Sequence, residues 1–235
     1  MHLSGRIRKY LRKFWWGKVV HSPAALEFAL NFMCQVETEE VRNSSGHALK
    51  EYAEPELKSQ ISQQIEDEMK HSVLLANCVR AVGGRPIALT MNFRSYDNIE
   101  NHLGVHPLLH FLLFCYSVEK IALESIRDCR DVMPPGFLKD TIGQIVDDEE
   151  RHVAYLQGAV RSFEESSYLP DLLALYERET WTNYTHNVAV MSTELAKRVP
   201  TPFFRFFGFA ALLYVKMASF ISFFRMIITT PRMRL

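Results

Sequence analysis

The residues with the clearest chemical potential form two copies of one short motif. Residues 67–71 and 148–152 both have the pattern Asp-Glu-x-x-His, and the copies lie 81 positions apart. Positions i and i+3 share one face of a helix, so the Glu and His of each copy can reach the same metal ion. Charged helices often contain one such motif by chance, but two copies near the middle of two long helices indicate a metal site.

Two further glutamates complete this pattern. Glu37 lies 31 residues before the glutamate of the first motif, and Glu119 lies 30 residues before that of the second. The matched spacing predicts a duplicated metal-binding helix pair. Four carboxylates and two neutral imidazoles balance the charge of two divalent ions, and mixed oxygen and nitrogen ligands suit iron or manganese. These six candidate ligands are Glu37, Glu68, His71, Glu119, Glu149 and His152.

Three other side chains could also belong to this site. Glu40 is an alternative to Glu37 because it lies one helical turn further along. Glu124 is an alternative to Glu119, but five positions separate the two, so Glu124 should point elsewhere on its helix. Tyr155 could hydrogen-bond a ligand, although packing in the core explains it equally well.

Long helices separated by Pro and Gly are predicted to position these residues. The chain contains no Asn-Gly or Asp-Gly hairpin signal and no long alternation of apolar and polar residues, so we expect an all-α protein. Ser22 and Pro23 have the residue types of a helix start. The predicted helices cover about 22–52, 55–82, 107–132, 137–164, 169–198 and 202–228.

The connections between these helices predict how they are arranged. The first and second helices are joined by a few residues, as are the third and fourth, so each pair should form antiparallel neighbours. The link from Gly83 to His106 is long enough for a crossover. Two hairpins joined by one crossover form a ferritin-like four-helix bundle, and the last two helices would follow it.

The six candidate ligands on four helices resemble the set found in ferritin-like di-iron carboxylate proteins. The resemblance covers about residues 22–165. It implies two iron ions, with a manganese–iron pair as an alternative. It also implies that Glu68 and Glu149 bridge the two ions, while Glu37 and Glu119 are terminal ligands.

Neighbouring residues are expected to support the ligands. Asp67 and Asp148 precede the motif glutamates, and in ferritin-like sites such an Asp holds the free ring nitrogen of the other half's His. Cys34 and Cys115 lie one turn before two of the candidate glutamates, so they could line the substrate side together with Tyr116. Small apolar core positions are the alternative explanation for both cysteines.

The resemblance implies an oxidoreductase that uses dioxygen to oxidise an apolar, membrane-derived substrate. Electrons would come from an external donor, because no flavin, haem or iron–sulfur motif is visible. Among such enzymes, the chain resembles demethoxyubiquinone hydroxylases in its Gly84-Arg85-Pro86 step and in a hydrophobic, Arg-bearing helix after the second motif. It departs from them in carrying about 80 residues after His152. Aldehyde-deformylating oxygenases and tRNA-modifying hydroxylases are alternatives within the fold.

Two hypotheses from other classes remain open at this point. The first is iron oxidation or peroxide scavenging, as in ferritins and rubrerythrins, although the chain lacks the Cys pairs of a rubredoxin-type site. The second is a metal-free helical interaction protein in which the doubled motif is a coincidence. A substrate-sized apolar space beside the candidate ligands would favour an oxygenase over both.

The net charge of zero conceals an uneven distribution along the chain. Thirteen of the 27 basic residues lie in residues 1–20 or after Glu194, and these two regions contain no acid, so the middle is at −13. Basic, aromatic ends are typical of helices at an anionic membrane surface. Packing on the bundle, or on a second subunit in a homodimer, is the alternative for the last helix. The acidic body disfavours nucleic acid as a partner.

We therefore expect three regions and an intracellular location. They are a basic aromatic segment (1–21), a di-iron bundle (22–165) and C-terminal helices (166–235) of which the last is apolar. The four cysteines show no paired spacing, which is typical of reduced thiols in the cytoplasm. The basic ends would add peripheral attachment at the inner face of a membrane.

Overall fold

The computed structural model describes the backbone of residues 5–47, 54–89, 107–163, 169–199 and 201–229, and all their side chains except 42–47, 107 and 217–229. Within these ranges the chain forms seven α-helices and no strand, which confirms the all-α prediction. The helices are α1 (Gly5–Val20), α2 (Pro23–His47), α3 (Pro55–Ala81), α4 (Pro107–Val132), α5 (Phe137–Arg161), α6 (Leu169–Arg198) and α7 (Pro202–Thr229).

Helix starts agree with the predicted positions because Pro and Gly mark them in the sequence. Pro55 occupies the first turn of α3, where its missing N–H costs no hydrogen bond. At the other end of α3, Gly83 has φ of +81°, a conformation that favours glycine. Gly84 then passes close to α2, since an added Cβ there would lie 2.5 Å from Cγ of Glu27.

The chain that leaves α3 is attached to α2 by side-chain hydrogen bonds. Asn31 donates to the carbonyl of Arg85 (3.2 Å) and accepts from the N–H of Ile87 (2.8 Å). One turn later, Gln35 accepts from the N–H of Leu89 (2.8 Å). These contacts direct the first part of the predicted crossover along α2; residues 90–106 lie outside the described part of the chain.

Helices α2 to α5 pack as two pairs. Helices α1 and α6 lie over one side of these pairs, and α7 lies on α6. α2 packs against α3, α4 against α5, and α3 against α5, as expected for two antiparallel hairpins. Among the described residues, the backbones of α2 and α4 do not pack directly against each other. Instead α1 and α6 each contact both of them, and α7 packs on α6.

The basic aromatic segment forms α1, and one face of this helix is part of the main core. Trp15 and Trp16 are buried, with indole N–H groups that donate to Ser192 (3.0 Å) and Ser125 (3.2 Å). The buried core cluster that contains them includes residues from all seven helices. The N-terminal segment is therefore covered on one side by the rest of the protein.

Arg12 attaches α1 electrostatically to α4. Its guanidinium lies 2.8 Å from Asp128 and 2.9 Å from Glu124, and Arg12 itself is only 7% exposed. Lys13 makes a more exposed ion pair with Asp131 at 2.7 Å. Part of the positive charge at the N-terminus thus neutralises acidic residues of the body.

Both ends of the chain were candidates for membrane contact. No helix among the described residues has the length and apolar character that a membrane crossing requires.

Candidate metal centre

The six candidate ligands converge in the interior, although four different helices supply them. All six are at most 7% exposed. Their ligand atoms form two groups, within each of which the atoms lie within 4.8 Å of one another. One group contains Glu37, Glu68, His71 and Glu149; the other contains Glu68, Glu119, Glu149 and His152.

Glu68 and Glu149 belong to both groups because each directs one oxygen toward each histidine. The two oxygens of Glu68 lie 3.2 Å from Nδ1 of His71 and 3.3 Å from Nδ1 of His152. The corresponding distances from Glu149 are 3.3 and 3.4 Å. This is the arrangement that two bridging carboxylates would need.

Glu37 and Glu119 each belong to one group only. Glu37 lies 3.7 Å from Nδ1 of His71, so it stands at one end of the cluster, and Glu119 stands at the other. Neither alternative belongs to a group. Glu40 lies beside the cluster, where burial and repulsion from Glu68 and Glu149 raise its pKa well above its usual range, and Glu124 pairs with Arg12.

Each motif aspartate contacts the histidine of the other motif, so the contacts run between α3 and α5. Nε2 of His71 lies 3.2 Å from Asp148, and Nε2 of His152 lies 3.3 Å from Asp67. Each Asp therefore holds the ring nitrogen that faces away from the glutamates. Such a contact leaves Nδ1 directed at the ligand cluster.

Two basic residues within the motifs hold these aspartates, and the sequence analysis missed them. Lys70 lies 2.9 Å from Asp148, and Arg151 contacts Asp148 and, at 3.4 Å, Asp67. Burial raises the pKa of Asp148, but hydrogen bonds from Lys70, His71 and Arg151 outweigh it and lower the value to about 2. The sequence contained a pattern that could have identified them, because both motifs carry a basic residue directly before the histidine.

Gln64 is a further polar residue of the cluster that the sequence analysis did not identify. It lies one turn before Glu68 and is buried. Its amide donates to Glu119 and, at 3.4 Å, to Glu68, while its carbonyl accepts from Tyr155. The hydroxyl of Tyr155 thus reaches the ligands through Gln64 rather than directly.

Electrostatic interactions within the cluster are strong. Burial alone would lower the pKa of His71, but hydrogen bonds to Glu149, Glu37 and Glu68 raise it to about 12. Burial also lowers the pKa of His152, but interactions with Glu149 and Glu68 outweigh it and raise the value to about 10. Burial, followed by repulsion from neighbouring carboxylates, raises the pKa of Glu119 well above its usual range. Carboxylates therefore outnumber the positive charges available within the cluster.

The chemistry of this donor set fits a pair of divalent cations. Three buried atoms of the cluster have neighbours at ion-pair distances of 3.3–3.7 Å but no partner in hydrogen-bond geometry: one oxygen each of Glu37 and Glu149, and Nδ1 of His152. Buried polar atoms without such partners are costly, and one cation in each ligand group would satisfy all three. Oxygen and imidazole donors without thiolate favour iron or manganese over softer metals.

An apolar cavity of about 150 Å³ reaches this cluster between α2 and α4. Glu37, Glu40 and Glu149 contribute to one part of its wall, and the remainder is mostly aliphatic and aromatic. The two tryptophans of α1 and one face of α6 complete the lining. The side chains that line the rest are Trp15, Trp16, Phe32, Met33, Val36, Val118, Ile121, Ala122, Ser125, Ile126, Thr180, Tyr184, Asn187, Val188 and Met191.

The three residues expected on the substrate side do not line this cavity. Cys34 donates its thiol to the carbonyl of Ser72 on α3 at 3.2 Å. Cys115 and Tyr116 belong to a second apolar cluster formed by α4, α5 and α6. Burial raises the pKa of both thiols, which fits packed, unreactive cysteines. Other residues of α2 and α4, together with α1 and α6, line the apolar space, and the ligand spacing gave no means to predict the contribution of α1 and α6.

No protein-family model, curated protein or solved structure matches this chain. Function is therefore inferred from the side chains of the cluster and from the cavity beside it.

Proposed function

We propose that this protein is a ferritin-like di-iron carboxylate oxidoreductase that uses dioxygen to oxidise a small, mainly apolar substrate. The observation that carries the proposal is the apolar cavity that reaches Glu37 and Glu149. Iron oxidation and peroxide scavenging need no organic substrate beside the metals, whereas an oxygenase or oxidase does. The buried ligand cluster also disfavours a metal-free interaction protein, because burying four carboxylates and two imidazoles together is costly and packing alone does not require it.

The residues of the cluster have distinct roles in this proposal. Glu68 and Glu149 would hold both ions, since each directs one oxygen to each half of the cluster. Glu37 and Glu119 would each hold one. When bound, two ferrous ions would supply the electrons and Lewis acidity that dioxygen reduction requires.

The surrounding side chains would keep the ligands in place and water away. Asp67 and Asp148 fix the histidine rings through Nε2, and Gln64 fixes the carboxylate of Glu119. The apolar wall formed by Trp15 and its neighbours favours a substrate carbon over water beside the ligands. Electrons for further turnovers would come from an external donor.

Iron reconstitution tests the proposal directly. The full chain, loaded anaerobically with two Fe(II) per chain, is exposed to ¹⁸O₂ with a mixture of small neutral alkylbenzenes and alcohols. We expect ¹⁸O-labelled or dehydrogenated organic products, detected by mass spectrometry, which Glu68→Ala abolishes. Glu150→Gln is the matched control, because Glu150 neighbours a ligand but is exposed and pairs with Arg127. Oxygen uptake without product, with iron stored beyond two ions per chain, would instead identify an iron-storing protein.

We also propose that the exposed faces of α1 and α7 bind an anionic membrane surface. Among the side chains that the structure describes, the three most exposed large apolar ones are Tyr10, Phe206 and Phe209 at 67–72%, and a ring contact of 5.4 Å between Phe14 and Phe203 joins the two helices. Exposed cations of the same helices surround these residues, and no acid lies on either helix. Self-pairing of this face in a dimer would bring like charges together, whereas anionic lipids would neutralise them.

A further inference from the structure

The cavity beside the ligands contains polar groups as well as apolar ones, and α6 supplies them. Its residues in the lining are Thr180, Tyr184, Asn187, Val188 and Met191. Apart from the adjacent residues 187 and 188, these positions are spaced by three or four residues, so one face of α6 runs along the cavity. At 1.5 Å per residue, Thr180 and Asn187 lie about 10 Å apart along the helix axis.

Among the polar residues that α6 contributes to the lining, Thr180 and Asn187 have hydrogen-bonding atoms without partners. Oγ1 of Thr180 and Oδ1 of Asn187 are buried and unpartnered, and Thr180 is only 1% exposed. In contrast, the hydroxyl of Tyr184 lies 2.8 Å from that of Ser125, which also accepts from Trp16. Native proteins rarely leave such atoms unsatisfied, so a ligand in the cavity is expected to provide their partners.

Charge restricts the class of that ligand. The residues that line this cavity include three carboxylates and no Lys, Arg or His. A carboxylate or phosphate ligand would therefore meet like charges in an apolar space with no cation to pair with, which is strongly unfavourable. A neutral hydroxyl group, in contrast, can donate to Asn187 and can donate to or accept from Thr180.

Size restricts the ligand further. Apolar cavities of about 150 Å³ hold a benzene-sized molecule. We propose that this cavity binds a neutral, mainly apolar alcohol or phenol of about that size, hydrogen-bonded through its hydroxyl to Thr180 or Asn187. The identification of this ligand as the substrate rests on the proposed function, but binding itself does not require metal.

Fluorine NMR on the metal-free full chain tests this assignment with three matched probes. They are 4-fluorobenzyl alcohol, 4-fluorotoluene, which lacks the hydroxyl, and 4-fluorobenzoate, which is anionic. We expect the alcohol to bind about 3- to 10-fold more tightly than 4-fluorotoluene, the effect of one hydrogen bond, and the benzoate to bind most weakly. Ala122→Phe, which fills the cavity, should weaken binding of both neutral probes while two metal ions per chain are retained.

Two isosteric substitutions identify the anchoring residue. Thr180→Val or Asn187→Leu should lower the affinity for the alcohol to about the affinity for 4-fluorotoluene. The affinity for 4-fluorotoluene itself should change little. Thr182→Val is the control, because Thr182 is a buried threonine of the same helix whose hydroxyl already donates to the backbone carbonyl of Arg178 (3.0 Å). Tighter binding of the benzoate, or an alcohol preference that survives both substitutions, would overturn the assignment. Probe binding without turnover would leave the binding site standing and contradict only the proposed reaction.

Discussion

Nε2 of His71 lies 3.2 Å from Oδ2 of Asp148, so a residue of α5 fixes the orientation of a histidine on α3. Contacts of this kind to a metal-ligating histidine are commonly worth a 10- to 100-fold difference in metal affinity. We therefore expect Asp148→Asn to weaken Mn²⁺ binding by about that factor, as measured by titration calorimetry. Asp147→Asn, which changes an exposed neighbour, should leave the affinity unchanged. Equal effects of the two substitutions would exclude a specific role for Asp148.

The shared position of Glu68 predicts how many metal ions each variant binds. Because Glu68 is in both ligand groups, Glu68→Ala should reduce the metal content from about two ions per chain to below one. Glu37→Gln and Glu119→Gln should each retain about one ion, since each residue belongs to one group. Elemental analysis of purified, reconstituted protein measures these values. A wild-type protein that binds no iron or manganese would contradict the metal centre altogether.

Metal binding should become tighter as the pH rises. In the metal-free protein the raised pKa values of His71 and His152, about 12 and about 10, keep both rings protonated near neutral pH. Each ion must then displace a proton, and each proton released corresponds to about a tenfold gain in affinity per pH unit. We expect Mn²⁺ to bind about 100-fold more tightly at pH 8 than at pH 6, with proton release visible to an indicator dye. An affinity independent of pH would show that the histidines are not ligands.

The buried ion pair of α1 predicts a large effect on stability. Arg12→Met would leave Asp128, which is 2% exposed, as a buried charge without its partner, and we expect a loss of about 3 kcal/mol in the free energy of unfolding. Lys13→Met removes a more exposed pair and should cost less than about 1 kcal/mol. Asp128→Asn in the Arg12→Met background should restore part of the loss. Urea unfolding followed by circular dichroism measures all three.

Vesicle flotation tests the exposed face of α1 and α7. We expect the protein to float with vesicles containing phosphatidylglycerol at low salt, and much less in 0.5 M salt or with neutral vesicles, because charge attraction is screened. Phe206→Ser together with Phe209→Ser should reduce flotation at least about fivefold. Met69→Ser with Val73→Ser is the control, since these side chains are also exposed but lie on α3. Loss of a dimer in the first variant, with flotation unchanged, would identify a second subunit as the partner.

Much of the helical framework and the ligand cluster could be predicted because both depend on local spacing. Pro23, Pro55 and Pro202 mark the helix starts at the predicted positions, since proline fits the first turn without losing a hydrogen bond. Glu68 and His71 share a face because they are three residues apart on a helix. The predicted end of α2 near residue 52 lies outside the described residues, which include this helix as far as His47.

Residues that matter only through contacts between helices were not predictable in this way. Gln64 lies beside Glu119, 55 positions away in sequence, and nothing in its local spacing indicates that contact. The cavity formed by α1, α2, α4 and α6 likewise depends on which helices are neighbours. The sequence indicated that Tyr155 could approach the ligands, but only the packing of α3 against α5 placed Gln64 between them.

By itself, the sequence determined the helical periodicity, the residue types of the ligand cluster and the basic character of α1, because these are properties of one chain segment at a time. Only the tertiary structure decided which sides of α1 are covered. Trp15 is buried against α6, while Tyr10 of the same helix is 70% exposed, although both are aromatic residues in one basic segment. Burial depends on what the rest of the chain places opposite each face, and that arrangement is set by packing across the whole fold.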